Sequence, residues 1–598
     1  MRLLIFAFLW TSATLAGALI VSTSGSGTLD RTVDGDNVKL ILSSPFASLP
    51  HGGCAPLTIV IRNDNNGPGT WHVNFRTNAL NNGFGESDYE QDLTVAPNAT
   101  GTFHLNVPLA AAPLEDSVRF IATVDGPGFS AAQRNFGYFH TPGNASRTPF
   151  TVFGTQLIGP IALGPLDDYA KKHHEQLDAS PVDAANLPSD WRAYTGVANL
   201  VLKDSEWLAL DATQRDAIAD AIALGGHLVI YTSPDPSQTP PQLQLPGHDG
   251  QYGYGHIDIK TVAAYPPDAA TLASDLKGNA SPGVHHTDVG YVNWPLRRLV
   301  GIIAVSGAFI LCFVVLFGTL VGPVNLFYFA GGRNRMRLFW TTPVISLAAS
   351  LALLVGILVT DGIGGSGRQI VATLSLPDRH REAVIQEQVA RTAVLFSTGW
   401  HDTQNALVTP ISDRYLSSLN DKNGGRNDRG NIDSTDVYRQ SGNDYSGSWF
   451  RSRAVTGQYL QAVRPSRAAL TIMNPTDFAK GLAPVVLSSF PEPLDRVYLH
   501  DTSSHYWTCE NLEPGRKQTC QSSRGVDFDT FWNNTIANAG GKLRPFLNGL
   551  RDHPGTFFAT GTPPEADRLN TLSQIRWTTP EGIYLGTWID NPAPETTP

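Results

Sequence analysis

The sequence predicts a multidomain α+β membrane protein. Three observations carry that expectation: two long apolar runs without a charge, short alternating strands on both sides of them, and one stretch where the period turns helical between two strands. At 598 residues the chain exceeds what one hydrophobic core serves, so roughly three or four globular units are expected. Gly at 56 positions and Pro at 41 make turns abundant and helix the minority. A formal charge of -10 with no strongly basic stretch argues against nucleic acid as a partner, because phosphate binding needs a concentrated Lys/Arg face.

The apolar runs are residues 299–321 and 338–360. At 1.5 Å per residue each is long enough to cross a hydrocarbon core of about 30 Å. Pro343 falls in the first turns of the second run, where a missing N–H costs least. Arg333, Arg335 and Arg337 crowd the intervening loop 322–337, the charge bias expected on the cytoplasmic side, so the runs form a hairpin with that loop inside. Arg297 and Arg298 oppose this bias, but an exported N-terminal half fixes the orientation. Cys312, inside the first run, reads as a packing residue.

Export follows from the start of the chain. Met1-Arg2, the apolar run from Leu3 to Trp10 and the small residues up to Ala16-Gly17-Ala18 have the three parts of a secretory signal peptide, residues 1–18. An uncleaved anchor is the alternative, because Leu19-Ile20-Val21 continues the apolar character. Either way, large N- and C-terminal regions are expected outside the cytoplasm, with the chain held in a bacterial inner (plasma) membrane. Membrane lipid is then one partner, and an envelope protein or glycan the other.

Residues 30–148 read as a β-sandwich. Leu57 to Asn63 alternates branched and polar residues, then breaks at Asp64-Asn65-Asn66-Gly67-Pro68-Gly69; Trp71 to Phe75 and Val118 to Val124 are further strands. Short strands separated by such turns point to an immunoglobulin-like module.

Residues 149–285 read as an α/β unit. Val197 to Leu202 is a short apolar strand, and Asp211 with Gln214 three positions on forms a capping box that satisfies free N–H groups at a helix start. Ala217, Ile218, Ala221 and Ile222 give that helix an apolar face, Gly225-Gly226 ends it, and His227 to Tyr231 is the next strand. The short connections predict a parallel pair. Trp191-Arg192-Ala193-Tyr194, the strand through Leu202, the helix, Gly225 to Ile230, and Gly322-Pro323-Val324-Asn325 resemble the glutamine-amidotransferase-like domain of uncharacterised bacterial membrane proteins. Amidotransferase chemistry needs a thiolate nucleophile with a nearby His, yet no cysteine lies between Cys54 and Cys312, and no G-x-S-x-G elbow occurs in this domain. A degenerate, non-catalytic domain is therefore expected.

Residues 366–598 read mainly as β, one or two sandwiches, with strands at Gln369 to Leu376, Ala383 to Phe396, Ala468 to Ile472 and Arg496 to His500, and a polar loop from Asn420 to Asn431. Candidate chemistry is sparse. Asp421, Asn423 and Asp428 offer oxygen ligands, but Gly425 and the missing Glu depart from a calcium loop. His173-His174-Glu175 lacks the spacing that puts two imidazoles on one helix face. His51-Gly52-Gly53 reads as a turn. No catalytic, cofactor-binding or metal-binding residue is assigned. Cys509 and Cys520, separated by a turn with Pro514-Gly515, are expected to form a disulfide in an oxidising compartment, and Cys54 to be buried without a partner. The function expected is non-enzymatic binding or protein interaction; a carbohydrate- or peptidoglycan-directed enzyme with unidentified carboxylates is the alternative.

Overall fold

The computed structural model describes residues 31–50, 52–79, 85–110, 118–129, 135–140, 146–147, 149–159, 163–173, 175–232, 243, 245, 250–262, 265–278, 295–300, 307–329, 335–411, 436–540, 543–578 and 581–591. The expected signal peptide, His51, His174, Arg333 and the loop with Asp421, Asn423 and Asp428 lie outside the described residues. The chain is a mixed α+β, sheet-rich, multidomain protein with two long apolar helices.

Two sheets face each other near the N-terminus. One is antiparallel, Arg31–Gly35, Val38–Ser43, Cys54–Asn63 and Ala99–Pro108. The other contains Glu86–Val95, Gly69–Ala79, Val118–Asp125 and Asn135–His140. Alternation sends Leu40, Ile59 and Ile61 from the first sheet and Trp71, Val73 and Phe120 from the second into one core. The turn expected after Asn63 is present, pinned by the Asn63 amide donating to Gly67 O at 3.0 Å and Ala96 O at 3.1 Å.

The second sheet does not close on itself. Val437–Ser441, from the far side of both apolar helices, pairs parallel with Glu86–Val95, and Asp444–Gly447 and Trp400–His401 extend it. Arg439 reaches Asp88 at 3.3 Å across that join.

The α/β region is a six-stranded sheet in the order Ala179–Val182, Thr151–Gly154, Asn199–Lys203, His227–Thr232, Gly255–Thr261, Gly250–Tyr252, parallel except for the last strand. The capping box forms: Asp211 Oδ1 accepts from Gln214 N–H at 2.8 Å and Gln214 Oε1 from Asp211 N–H at 3.0 Å. The helix Ala212–Ala223 follows and stops before Gly225, which adopts a φ of 111°. A shorter helix, Asp204–Ala209, precedes it and was not legible in the pattern.

The C-terminal region is built on a ten-stranded sheet centred on Gly365–Leu376 and Arg381–Thr392, antiparallel in register from Gly365↔Thr392 to Leu376↔Arg381. One face packs against the α/β region in a core shared by Ile218, Ile222, Ile370, Leu374 and Ile385, to which the helices Gly525–Thr535 and Leu543–Leu550 add Trp532 and Phe546. A four-stranded sheet with Leu470–Ile472 and Val485–Ser488 covers another part through Leu470, Val486, Val497, Leu499 and Phe557.

Cys509 and Cys520 form the expected disulfide, both buried. Cys509 belongs to Tyr506–Leu512 in the ten-stranded sheet, whereas Cys520 sits where the chain leaves Lys517–Thr519 in the four-stranded sheet and rejoins the larger one at Gln521–Ser523. The bond therefore fastens a strand that changes layers. Replacing both cysteines with serine should cost about 3 kcal/mol of stability, read as a lower thermal midpoint of the full-length protein. Recovery of both as free thiols in non-reducing peptide mapping would refute the bridge.

The first expected span differs from the structure at both ends: residues 299 and 300 belong to a separate helix, Pro295–Val300, whose Leu296 and Val300 pack against the shared core, and the described apolar helix begins at Gly307. The second, Leu338–Asp361, matches. The first does not end at Val321: Gly307–Thr319 continues as a wider-wound helix, Leu320–Phe329, so residues 322–329 of the expected loop are helical. Pro323 has no N–H and its ring crowds the carbonyl of the preceding turn, and the wider winding accommodates both defects without stopping the helix. Only 6% of Leu311–Tyr328 and 0% of Leu338–Gly356 is buried, unlike the core helices of a soluble fold. Cys312 is exposed rather than packed. Asn325 is fully buried and clasps the second helix, donating to Thr342 Oγ1 at 2.9 Å and accepting from Thr341 Oγ1 at 2.6 Å. A double-mutant cycle of Asn325→Ala with Thr342→Ala, read by unfolding in mild detergent, should give a coupling of about 1 kcal/mol.

Candidate functional site

In an open parallel sheet, ligands bind beyond the carboxyl ends of the strands where successive connections leave in opposite directions. Here that crevice lies between Thr151–Gly154 and Asn199–Lys203, since Ala179–Val182 flanks the former on its other side. Glu206 fills it. Its Oε1 accepts from Gln156 N–H at 2.7 Å and its Oε2 from Lys203 N–H at 2.9 Å, and the residue is 0% exposed. A Cβ on Gly154 would collide with that carboxylate. Burial raises the Glu206 pKa while the N–H groups of Lys203, Gln156 and Leu157 pull it down. The amide donors that would hold an incoming anion already hold an internal one.

The cysteine nearest this region supplies no nucleophile. Cys54 is buried as expected, donates its N–H to Thr195 Oγ1 at 3.1 Å, and has its thiol pushed up to about 12 by burial.

At the opposite edge of the sheet, Thr151, Asn199, His227 and His256 are in register on four neighbouring strands. Asn199 links Thr151 Oγ1 at 3.0 Å to His227 Nδ1 at 2.9 Å, and Asp258 bridges His227 Nε2 at 3.1 Å and His256 Nε2 at 2.9 Å. This ladder carries histidine and carboxylate, but its hydroxyl, on Thr151, donates to Pro149 O at 3.0 Å, and the row lies at the amino ends of the strands. Its work is to hold four strand starts in register.

Burial lowers the His227 pKa below its ordinary 6.5; Asp258 opposes the shift, and His256 and Lys260 add to it. A depressed imidazole stabilises the fold above pH 6.5, and that contribution is lost as pH falls through 6.5 toward the folded value. His227→Gln should therefore flatten the pH dependence of the thermal midpoint between about pH 6.5 and 5. An unchanged pH profile would exclude His227 as its source.

The open space lies between the α/β region and the ten-stranded sheet, as two lobes meeting at Asp378 and Arg379. These residues occupy the tight turn Pro377–Arg379 that joins the two central strands. The larger lobe, about 390 Å³, has a floor of Leu374, Leu376, Phe558 and Leu585 and a polar rim that includes Gln251, Tyr252 and His553. The smaller, about 340 Å³, is lined by Trp207, Arg215, Asp216, Asp378 and Arg379. Arg379 pairs with Asp216 and Arg381 with Asp220, two ion pairs to one helix. Burial pushes the Asp220 carboxyl up to about 6 against the pull of Arg381 and Arg379.

None of the residues weighed from sequence meets in this cleft. His173 caps the helix Gly164–Lys172 and packs its ring on Tyr169 at 4.5 Å; Gly53 takes a φ of 71° against Thr195 and Gly196, as a turn. The cleft assembles from segments near 210, 250, 378 and 553, and no spacing in the chain signals it.

No protein-family model and no curated protein matches the sequence. Among solved structures, a Bacteroides uniformis beta-glucuronidase is 11% identical over 32% of this chain and 22% of its own, with a TM-score of 0.13. A Paenibacillus cycloisomaltooligosaccharide glucanotransferase is 12% identical over 35% of this chain and 28% of its own, with a TM-score of 0.17. The chain thus spans about a quarter of the length of the proteins it is similar to.

Proposed function

We propose that this chain is a non-enzymatic binding protein of the bacterial envelope, held in the inner membrane by its helix hairpin, with both large regions outside the cytoplasm. On this reading the N-terminal sheets are an immunoglobulin-like module and the α/β region is a degenerate glutamine-amidotransferase-like domain. One fact supports the degenerate assignment: Glu206 occupies the crevice. The shared core supports the topology, because two regions folded into one body on either side of a hairpin belong on one side of a membrane.

The observation that carries the reading is the preformed cleft at Asp378 and Arg379. Its larger lobe falls within the roughly 300–1,000 Å³ of small-ligand sites, and an apolar floor under a polar rim suits a glycan or peptide segment of an envelope partner. A second reading has its own observation. Asp216 and Asp378 both line the smaller lobe beside Trp207, the residue types a carbohydrate-directed hydrolase uses.

One experiment separates them. A photo-crosslinking residue at Gln251 in native membranes should capture one envelope component, and Thr587→Trp, which fills the larger lobe, should abolish the capture. Absence of any cross-link would overturn the binding reading. Turnover of an envelope glycan that falls at least about 100-fold in Asp378→Asn would establish the enzyme reading instead.

A further inference from the structure

The second apolar helix ends at Asp361 and the central strand of the C-terminal sheet begins at Gly365. The three intervening residues, four Cα steps, reach about 14 Å when fully extended, and the headgroup layer on each side of a bilayer is roughly 5–8 Å deep. If the helix spans, the end of the sheet that carries Gly365 lies in or against the headgroups.

That end is apolar where it is exposed. Ile363 is 60% exposed and bridges Val394, with Gly364 N–H donating to Val394 O at 2.9 Å. Phe396, two residues further, is 76% exposed, a value that only Met336 in the turn between the two helices exceeds among the exposed large apolar side chains outside them in the described residues. Its loop is fixed rather than loose: Phe396 N–H donates to Gln574 Oε1 at 3.1 Å, and Gln574 Nε2 donates to Ser397 O at 3.0 Å. Cationic side chains accompany the pair. Arg453 is exposed and hydrogen-bonds Ala393 O through its backbone at 2.9 Å, and exposed Arg576 stands opposite Ser366, one residue into the central strand.

We infer that this end of the C-terminal sheet docks on the bilayer surface, with Ile363 and Phe396 in the boundary between headgroups and acyl chains and Arg576 facing lipid phosphates. Apolar and aromatic side chains flanked by arginine are what that interface accepts, and each cation adds attraction to anionic lipid. The partner is the membrane itself, and the body is held at a fixed tilt instead of swinging on its three-residue tether. The inference rests on the reading of the two helices as membrane spans.

The test uses full-length protein in a Cys312→Ser background, reconstituted into phosphatidylcholine–phosphatidylglycerol vesicles. Nitroxide labels are placed singly through Phe396→Cys, Leu347→Cys and Leu482→Cys, and collision rates with oxygen and with a water-soluble nickel reagent are compared. The expected result is an oxygen-to-nickel ratio at 396 severalfold above that at 482, and higher with phosphatidylglycerol than without it. An aqueous ratio at 396 alongside a lipid ratio at 347 would overturn the docking while leaving the hairpin intact. An aqueous ratio at 347 would overturn the spanning reading and the docking with it.

Discussion

One constraint organises the molecule: the two halves of the chain, separated by the apolar helices, cannot bury their apolar surface alone. The face of the α/β region that carries Ile218 and Ile222 is covered by Ile370 and Ile385 of the C-terminal sheet, and the N-terminal sheet pairs its Glu86–Val95 strand with Val437–Ser441. Burial of this kind contributes about 25 cal/mol per Å² of apolar surface, so a shared core binds the halves far more firmly than the ion pairs at its margin. Arg379 with Asp216 and Arg381 with Asp220 then act mainly on orientation, setting how one helix lies on the central turn.

In the α/β region the crevice at the switch of connections is filled from within. A parallel sheet leaves backbone N–H groups pointing outward at the switch of connections, and they must be satisfied by something. Glu206 supplies the acceptors from within. Open space lies instead between the α/β region and the C-terminal sheet.

Local physics was legible in the sequence, and long-range assembly was not. The strands near Leu57, Trp71 and Val118, the Asp211–Gln214 capping box, the second apolar helix and the Cys509–Cys520 bond each follow from interactions within a dozen or so residues. The helices Asp204–Ala209 and Gly525–Thr535 were missed because the first is too short to show a period and the second carries polar residues on much of its surface. The first apolar helix runs past the expected end at Val321 because its wider winding accommodates Pro323. The cleft was invisible for a stronger reason: nothing local distinguishes Asp378 from any other turn aspartate until the chain has folded.

The parallel pairing of Glu86–Val95 with Val437–Ser441 joins residues up to 351 positions apart. At roughly 5–20 residues per second, synthesis of that interval takes about 20–70 seconds, during which the earlier strand remains an open edge. Glu86, Ser87, Asp88, Glu90 and Gln91 crowd that edge with polar groups, the usual defence against pairing with a stranger. The N-terminal sheet is thus completed only after the hairpin has been made, and its maturation reports that synthesis has passed Gly447.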